Sequence, residues 1–406
     1  MKKIFTLFVG AFFVFNVNAQ WDTLTTNTNT NFYSIAFSSN LNGVAVGYDT
    51  DTLEGKIFRT TDGGQNWSVS HIGTSSKNSV CFSDAMHAWA AGDNGVIKKS
   101  SDGGGLWSFS AVGTKNFYSI YFANDTVGYV GGENGVLYRT SDLGASWDTL
   151  DSQTNLAIRD IYFSDDLKGW IVCDGGYIAS TTDGGQTWTA HPQPYYGFMQ
   201  CKSIGFAGTS GNGFVVGNDG DIVSTNDAGS NWNWFTLNSS EQLNCVRFSN
   251  SLAGIVVGNN GLIERTYVGG TNWANESMSY VTENLNHICF ASDSVAYICG
   301  NNGRILKSNI DISSVHSQPE FVMNANAFPN PFENELSVKI NLENASQVEL
   351  SILDISGRVV FNNNYGELNA GEQIIRPEGI QDLVSGIYVV RITTENGSVS
   401  LPVIRN

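Results

Sequence analysis

The sequence predicts an all-β protein, a seven-bladed β-propeller followed by a small β-sandwich. Three observations predict it. A corner of the form Ser/Thr-x-Asp-x-Gly-x-x-Trp ends in Trp67, Trp107, Trp147, Trp188 and Trp232, roughly 40 to 44 residues apart, a spacing that matches one four-stranded propeller blade per repeat. Seven short apolar segments ending in Phe, at 34–37, 79–82, 119–122, 160–163, 203–206, 245–248 and 287–290, recur in step with it. After Ser308 the period stops, and from 327 onward alternating apolar residues and hairpin turns describe a second, smaller unit.

In chain order, Lys2 and Lys3 precede an apolar run over 4–15, and Val17 and Ala19 fit a signal-peptidase site, so residues 1–19 read as a signal peptide. That run is short for a membrane span and no other stretch approaches the length, so the expected mature chain is exported and soluble from Gln20. Residues 20–308 form the propeller. Each Phe-ended segment is an inner strand, followed by a second apolar strand, a tight turn and a third strand that runs into the corner. The turns at Asn94-Gly95, Asn134-Gly135, Asp219-Gly220, Asn260-Gly261 and Asn302-Gly303 are strong hairpin signals, because both central positions favour positive φ. Seven inner strands face only six corners, the last of which carries Val268 in place of the Asp. The seventh blade lacks a fourth strand at its end. Residues 20–24, around Trp21, echo the fourth-strand start at 146–150, so the N-terminal segment is expected to close the ring and remove the open edge.

Each residue of the corner has a task. The hydroxyl and the carboxylate of Asp62, Asp102, Asp142, Asp183 and Asp227 can bond backbone N–H groups left open by the turn. The Gly supplies a left-handed backbone and the Trp a large apolar face. The corner resembles the Asp-box (bacterial neuraminidase) repeat, and the single-propeller plan of residues 21–308 resembles the photosystem II assembly-factor propellers, which the resemblance implies are protein-binding chaperones. That family uses a basic patch, and this chain shows no clear equivalent. Arg159 and Lys202, each just before an inner strand, would bring some positive charge to one mouth of the channel.

Residues 309–326 read as a polar linker and 327–406 as the second domain. Pro329, Asn330 and Pro331, then Asp354, Gly357 and Arg358, then Gly386 and Tyr388 stand in the order and near the spacing of the type A C-terminal sorting domain of the type IX secretion system of Bacteroidota, which this tail resembles. The resemblance implies the type IX machinery as a partner, passage across the outer membrane, and a secreted or surface-displayed product. The final strand, 401–406, is a looser version of the lysine-rich ending of that family.

Net charge of −17 argues against nucleic acid as a partner, since phosphate binding needs a cationic surface. The six cysteines show no metal-ligand spacing and read as small apolar packing. Cys289 and Cys299, on two strands of one hairpin, are the pair to consider for a disulfide, which needs demanding cross-strand geometry. No cofactor or metal is expected. The Phe/Tyr-Arg-Ile-Pro motif of sialidases is absent, and Arg59, Arg139 and Arg265 share one repeat position that reads as solvated. The box aspartates are spread around the ring instead of converging as a catalytic pair.

Function is expected on the face opposite the boxes, where loops are free to vary. Two departures fall there. Residues 47–55 form an expanded turn with three carboxylates that reads as a solvated acidic loop. Residues 191–200 form the longest blade-to-blade connection, with His191, Tyr195, Tyr196 and Phe198 as candidate contacts to a ligand. The expected role is a non-catalytic binding module for a glycan or a surface protein, and the alternative is a glycoside hydrolase with a divergent site.

Overall fold

The computed structural model describes residues 21–191, 200–237, 239–309, 325–342, 344–354, 359–381, 383–394 and 397–405. The chain divides into two compact units, Met1–Asp311 and Ile312–Asn406.

The first unit contains seven four-stranded antiparallel sheets among the described residues. Their inner strands are Asn31–Phe37, Lys77–Phe82, Phe117–Phe122, Ile158–Phe163, Cys201–Phe206, Leu243–Phe248 and Leu285–Ser292. Each inner strand touches the next, and the seventh touches the first, so the ring is closed. Trp21–Leu24 pairs antiparallel with Ile305–Asn309 and supplies the fourth strand of the seventh blade. The turns at Asn94-Gly95, Asn134-Gly135, Asp219-Gly220, Asn260-Gly261 and Asn302-Gly303 hold both residues at positive φ.

The second strand of each blade lies between the faces of two neighbouring blades, which is why it is apolar throughout instead of alternating. Gly128–Gly132 and Gly169–Cys173 are buried at every residue. Their aromatics bind blade to blade. Tyr129 stacks on Phe163 of the next blade, with ring centroids 4.2 Å apart, and Phe163 takes the edge of its own blade's Trp188. Trp170 meets Phe206 at 4.2 Å, and Tyr297 meets Phe37 at 3.7 Å across the seam. Each such Phe lies over a cross-strand glycine. A Cβ on Gly169 would come within 2.5 Å of the Phe163 ring, so no larger residue fits without displacing the stack.

The boxes are built as their residue types require. In the fourth, the Thr181 hydroxyl accepts from Gly185 N–H (2.9 Å) and donates to Asp183 (2.7 Å), which also accepts from Thr187 N–H (2.9 Å). Hydrogen bonds, first those from the residue just before the Trp, hold Asp142, Asp183 and Asp227 down to about 2. A carboxylate depressed in the folded state adds stability that is complete above its unfolded pKa and is lost as pH falls through the folded one. The urea midpoint is therefore expected to drop from about pH 4 to about pH 2, where unfolded carboxylates have taken up protons and these have not. Replacing all three with Asn should flatten that acid limb. An unchanged limb in the triple variant would remove the boxes as its cause.

The basic residues before the boxes are half-buried or, at Arg265, buried, and are tied into the scaffold where the sequence reading left them solvated. Arg59 donates to Asp102 O (3.1 Å), Lys99 to Leu143 O (2.8 Å) and Lys307 to Gly63 O (3.3 Å), in each case the box of the next blade. Arg139 reaches Tyr129, whose hydroxyl donates to Gly184 O in the following box. Arg265 is buried and paired with Glu276 at 2.8 Å. The position forms a clasp from blade to blade. All six cysteines are free. Cys289 lies opposite Tyr297, and Cys299 opposite His287, so the register sets the two sulfurs diagonally apart.

The second unit packs a three-stranded sheet (Ala325–Phe328, Ser337–Leu342, Gly371–Ile375) on a four-stranded one (Val359–Leu368, Ser346–Asp354, Gly386–Thr394, Gly397–Arg405). Phe332, Leu336, Val338, Ile340, Leu350, Ile352, Val390 and Ile392 fill the space between them. Pro329 and Pro331 follow cis peptide bonds, Asn330 Oδ1 accepts from Ile404 N–H at 2.8 Å, and the Tyr388 hydroxyl donates to Val384 O at 2.7 Å. Gly386 opens its strand and Asp354 ends one, while Gly357 and Arg358 lie outside the described residues.

Candidate binding site at the channel mouth

Every inner strand carries a β-bulge near its start. The register slips between Phe32 and Ser34, Lys77 and Ser79, Phe117 and Ser119, Ile158 and Asp160, Cys201 and Ser203, Leu243 and Cys245, and Leu285 and His287. A bulge frees one residue from the ladder and re-aims it. Here the freed residues are Tyr33, Asn78, Tyr118, Arg159, Lys202, Asn244 and Asn286, and all of them line one cavity of about 600 Å³ at the channel mouth. The turn residues Asp93 and Asn94 and the blade-to-blade residues Thr74, Ser75 and Ser76 line it too, which puts the mouth on the face away from the boxes.

Three of the seven serve the scaffold. The Asn78 amide donates to Asp93 (2.9 Å) and to Phe117 O of the next blade (2.8 Å). Asn244 does the same with Asn259 and Leu285 O, and Asn286 with Asn301 and Phe32 O. The other four differ. Arg159 makes a two-pronged ion pair with Asp174, Nε to Oδ1 at 2.8 Å and Nη2 to Oδ2 at 2.7 Å, and its guanidinium lies 4.4 Å from the Tyr118 ring centroid. Lys202, beside it, makes no ion pair among the described residues, and burial and the Arg159 charge push its ammonium down. Burial pushes the Tyr33 phenol up. The mouth thus offers two aromatic faces, one compensated cation and one cation with no carboxylate of its own.

Of the residues expected from sequence to meet a ligand, the structure brings Arg159 and Lys202 together. His191 goes elsewhere: its ring nitrogen is tied to Ser180 at 2.8 Å beside the outer strand of the fourth blade, and it does not line the mouth. Tyr195, Tyr196 and Phe198 lie outside the described residues. In the turn at 47–55, one lysine just beyond it holds two of the three carboxylates. Asp49 accepts from the N–H groups of Asp51 and Thr52, and Lys56 pairs with Asp49 at 2.7 Å and Glu54 at 3.3 Å. Among the described residues no three His, Cys, Asp or Glu side chains are grouped to hold a metal. Tyr33 and Tyr118 escaped the sequence reading because their role depends on the bulge. The seven-fold alignment of the inner strands was the signal that could have found them.

Below the mouth, Asp160 and Arg247 form an ion pair across two blades, Oδ2 to Nη1 at 3.0 Å. Asp160 Oδ2 also accepts from Ser203 Oγ at 2.9 Å and Ile204 N–H at 3.0 Å. A second, larger groove of about 930 Å³ lies between the fifth and sixth blades, where Asn212, Asn233, Asn275, Glu264, Thr271 and Trp273 line it.

Comparison with known proteins agrees with this architecture. Residues 75–141 and 140–245 match the family described as photosynthesis system II assembly factor YCF48, and residues 326–405 match the secretion system C-terminal sorting domain. Part of the propeller is thus similar to the YCF48 family, and the tail is similar to a secretion sorting domain. A YCF48 solved with a D1 peptide is 22% identical with a TM-score of 0.62, over 72% of this chain and 97% of its own. A YCF48 from Cyanidioschyzon merolae is 18% identical with a TM-score of 0.59, over 72% and 99%. A streptogramin B lyase, 14% identical with a TM-score of 0.63 over 72% and 98%, has the same fold, so enzymes also occur on it. At these identities the likeness establishes the fold alone. No curated protein matches the chain. The match of the tail implies secretion by the type IX route, to the cell surface or outside.

Proposed function

We propose that the propeller is a non-catalytic binding module that holds an acidic segment of a surface or secreted protein at the channel mouth. The observation that carries this reading is the convergence of all seven bulged side chains on one cavity, four of them outside the Asn scaffold. Lys202 and Arg159 stand side by side on a chain whose net charge is −17, so the mouth is a local exception that would select anionic groups. Tyr33 and Tyr118 supply rigid faces for an extended chain. A YCF48 relative has been solved with a peptide bound, which supports a peptide as the ligand class. The two carboxylates lining the mouth or next to it, Asp93 and Asp174, are held by Asn78 and Arg159, which disfavours an acid/base pair there. Export through a signal peptide over residues 1–19 completes the route.

A second reading, a glycan ligand, is favoured by the groove between the fifth and sixth blades, where amides, hydroxyls and Trp273 give the mixed polar and aromatic lining that suits a sugar. The two are separated by one experiment. The full chain is titrated with acidic and neutral peptides and with a polysaccharide panel, alongside Lys202→Met and Trp273→Ala. Acidic-peptide binding weakened about tenfold by Lys202→Met, the loss of one charge contact of about 1.4 kcal/mol, and weakened further by salt supports the mouth. Glycan binding lost in Trp273→Ala supports the groove instead. Release of reducing sugar would overturn the non-catalytic reading.

A further inference from the structure

The groove between the fifth and sixth blades, about 930 Å³, has one charged side chain among its described lining residues, Glu264. It belongs to the third strand of the sixth blade, Ile263–Thr266, two residues before the corner hydroxyl of Thr266. At that place the other blades carry Phe58, Lys98, Tyr138, Ala179, Val223 and Leu306. Phe58, Ala179, Val223 and Leu306 are buried, as their apolar character requires. Glu264 is buried too, 8% exposed, although it is an acid.

Glu264 has little to compensate it. Its Oε1 accepts from the amide of Asn275, its cross-strand partner, at 2.8 Å. Among the described residues no cation forms an ion pair with it. Arg265, the next residue, points to the opposite face of the strand and is committed to Glu276. Burial pushes the Glu264 carboxyl up, the Asn275 amide lowers it, and the Glu276 charge raises it again. Its Oε2 has no hydrogen-bond partner among the described residues, and it is not sealed off from the groove. A buried carboxylate without a counter-charge costs stability. Four other blades fill the place with an apolar residue, so the blade itself does not require the acid.

The missing charge can be specified. A divalent cation takes more oxygens than one carboxylate offers, and no second acid lines the groove. A guanidinium fork engages both oxygens of a carboxylate, and Asn275 already holds one. An ammonium is a compact point charge that a single free oxygen can hold. The body that carries it meets Asn233, Thr271, Asn272 and the Trp273 indole. Amides, a hydroxyl and one aromatic side chain suit a hydroxylated ring, whereas a lysine stem would call for an apolar wall.

We propose that this groove binds an amino sugar, with its ammonium on Glu264 and its ring against Trp273. The inference deepens the glycan reading of the groove and rests on it, and it is separate from the peptide at the mouth.

The test is calorimetric titration of the full chain with a glucosamine tetramer, its fully N-acetylated form, spermidine and a lysine peptide. The free amine should bind about tenfold more tightly than the N-acetylated form, as the loss of one hydrogen bond to a charged group implies. Glu264→Gln, which keeps the shape and removes the charge, should bring the two affinities together and leave that of the N-acetylated form unchanged. Trp273→Ala should weaken both. The urea midpoint of Glu264→Gln should be no lower than that of the parent, because an uncompensated buried charge is gone. Equal affinities for the two tetramers in the parent would overturn the ammonium contact and leave the glycan reading standing. Binding of neither tetramer would remove that reading and this inference with it. A preference that survives Glu264→Gln, or a lowered midpoint that makes Glu264 a structural residue, would also overturn it. So would spermidine or the lysine peptide binding through Glu264 when the tetramers do not.

Discussion

Trp21→Ala should destabilise the propeller by ~3–5 kcal/mol, the usual cost of truncating a buried Trp. Trp21 is 4% exposed and its position explains why the cost is high. Its strand pairs through Ser308, Lys307, Leu306 and Ile305, so it joins the start of the described chain to the last blade's outer edge. Its indole Nε1–H donates to Glu276 at 3.2 Å, and the Arg265 guanidinium lies 5.3 Å from its ring. Arg265 is nearly fully buried and pairs with the same Glu276 oxygen, so the closing strand also locks onto the sixth blade. Removing the ring leaves a cavity and exposes one side of a buried ion pair. Deleting residues 21–24 should go further. The third strand of the seventh blade would become an open edge, prone to pair with another molecule. Chemical denaturation by tryptophan fluorescence and size-exclusion chromatography check both variants. An unchanged midpoint in Trp21→Ala, or a monomeric deletion variant of parental stability, would show that the seam carries no special load.

Asp160→Ala should cost ~3–5 kcal/mol, the range for breaking one side of a buried ion pair. Ser34, Ser79 and Ser203 form a belt around the channel, each accepting a backbone N–H of the next blade, and Asp160 stands in the same place on its own strand. Its carboxylate takes on more partners than a hydroxyl can: Arg247 from the sixth blade, Ser203 and Ile204 N–H from the fifth, and Ile161 N–H beside it. The truncated variant leaves the guanidinium of Arg247 among neutral acceptors with no opposite charge. Asp160→Asn keeps the shape and several hydrogen bonds and should cost less. The double variant Asp160→Ser/Arg247→Met restores the belt pattern and removes the charge that lost its partner, so it should recover much of the loss, as buried pairs replaced by apolar groups often do. Additive single and double effects in a denaturation cycle would mean the two residues are not coupled across the channel.

The belt also bears on the mouth above it. Arg247 lines the channel below the mouth where the equivalent position in the fifth blade is Gly205, whose missing side chain leaves room against Arg247 and Val246 O. The ion pair therefore gives the upper cavity a rigid polar floor, and loss of Asp160 should loosen ligand binding at Lys202 as well as stability.

Much of this protein was legible in one dimension because its organising interactions are local and repeated. A box closes within eight residues, from Thr60 to Trp67 or from Thr181 to Trp188, so its hydrogen bonds are written into the spacing of the hydroxyl, the carboxylate, the glycine and the indole. The Asn-Gly turns declare their positive φ for the same reason. Even the ring closure could be read, since residues 20–24 repeat the start of a fourth strand found mid-chain. Only the tertiary structure decided what faces the channel. A β-bulge is a slip of register between two strands, and no single strand's pattern shows it, so Tyr33 and Tyr118 gained their place only when the ladders formed. Asp160 meets Arg247 across 87 residues of sequence, and Ser203 meets Cys245 across the next blade boundary. His191 was drawn away by Ser180, and Arg265 was buried by a tryptophan from the opposite end of the chain. Periodicity specifies the blade, whereas the chemistry of the channel depends on which side chains the closed ring brings face to face.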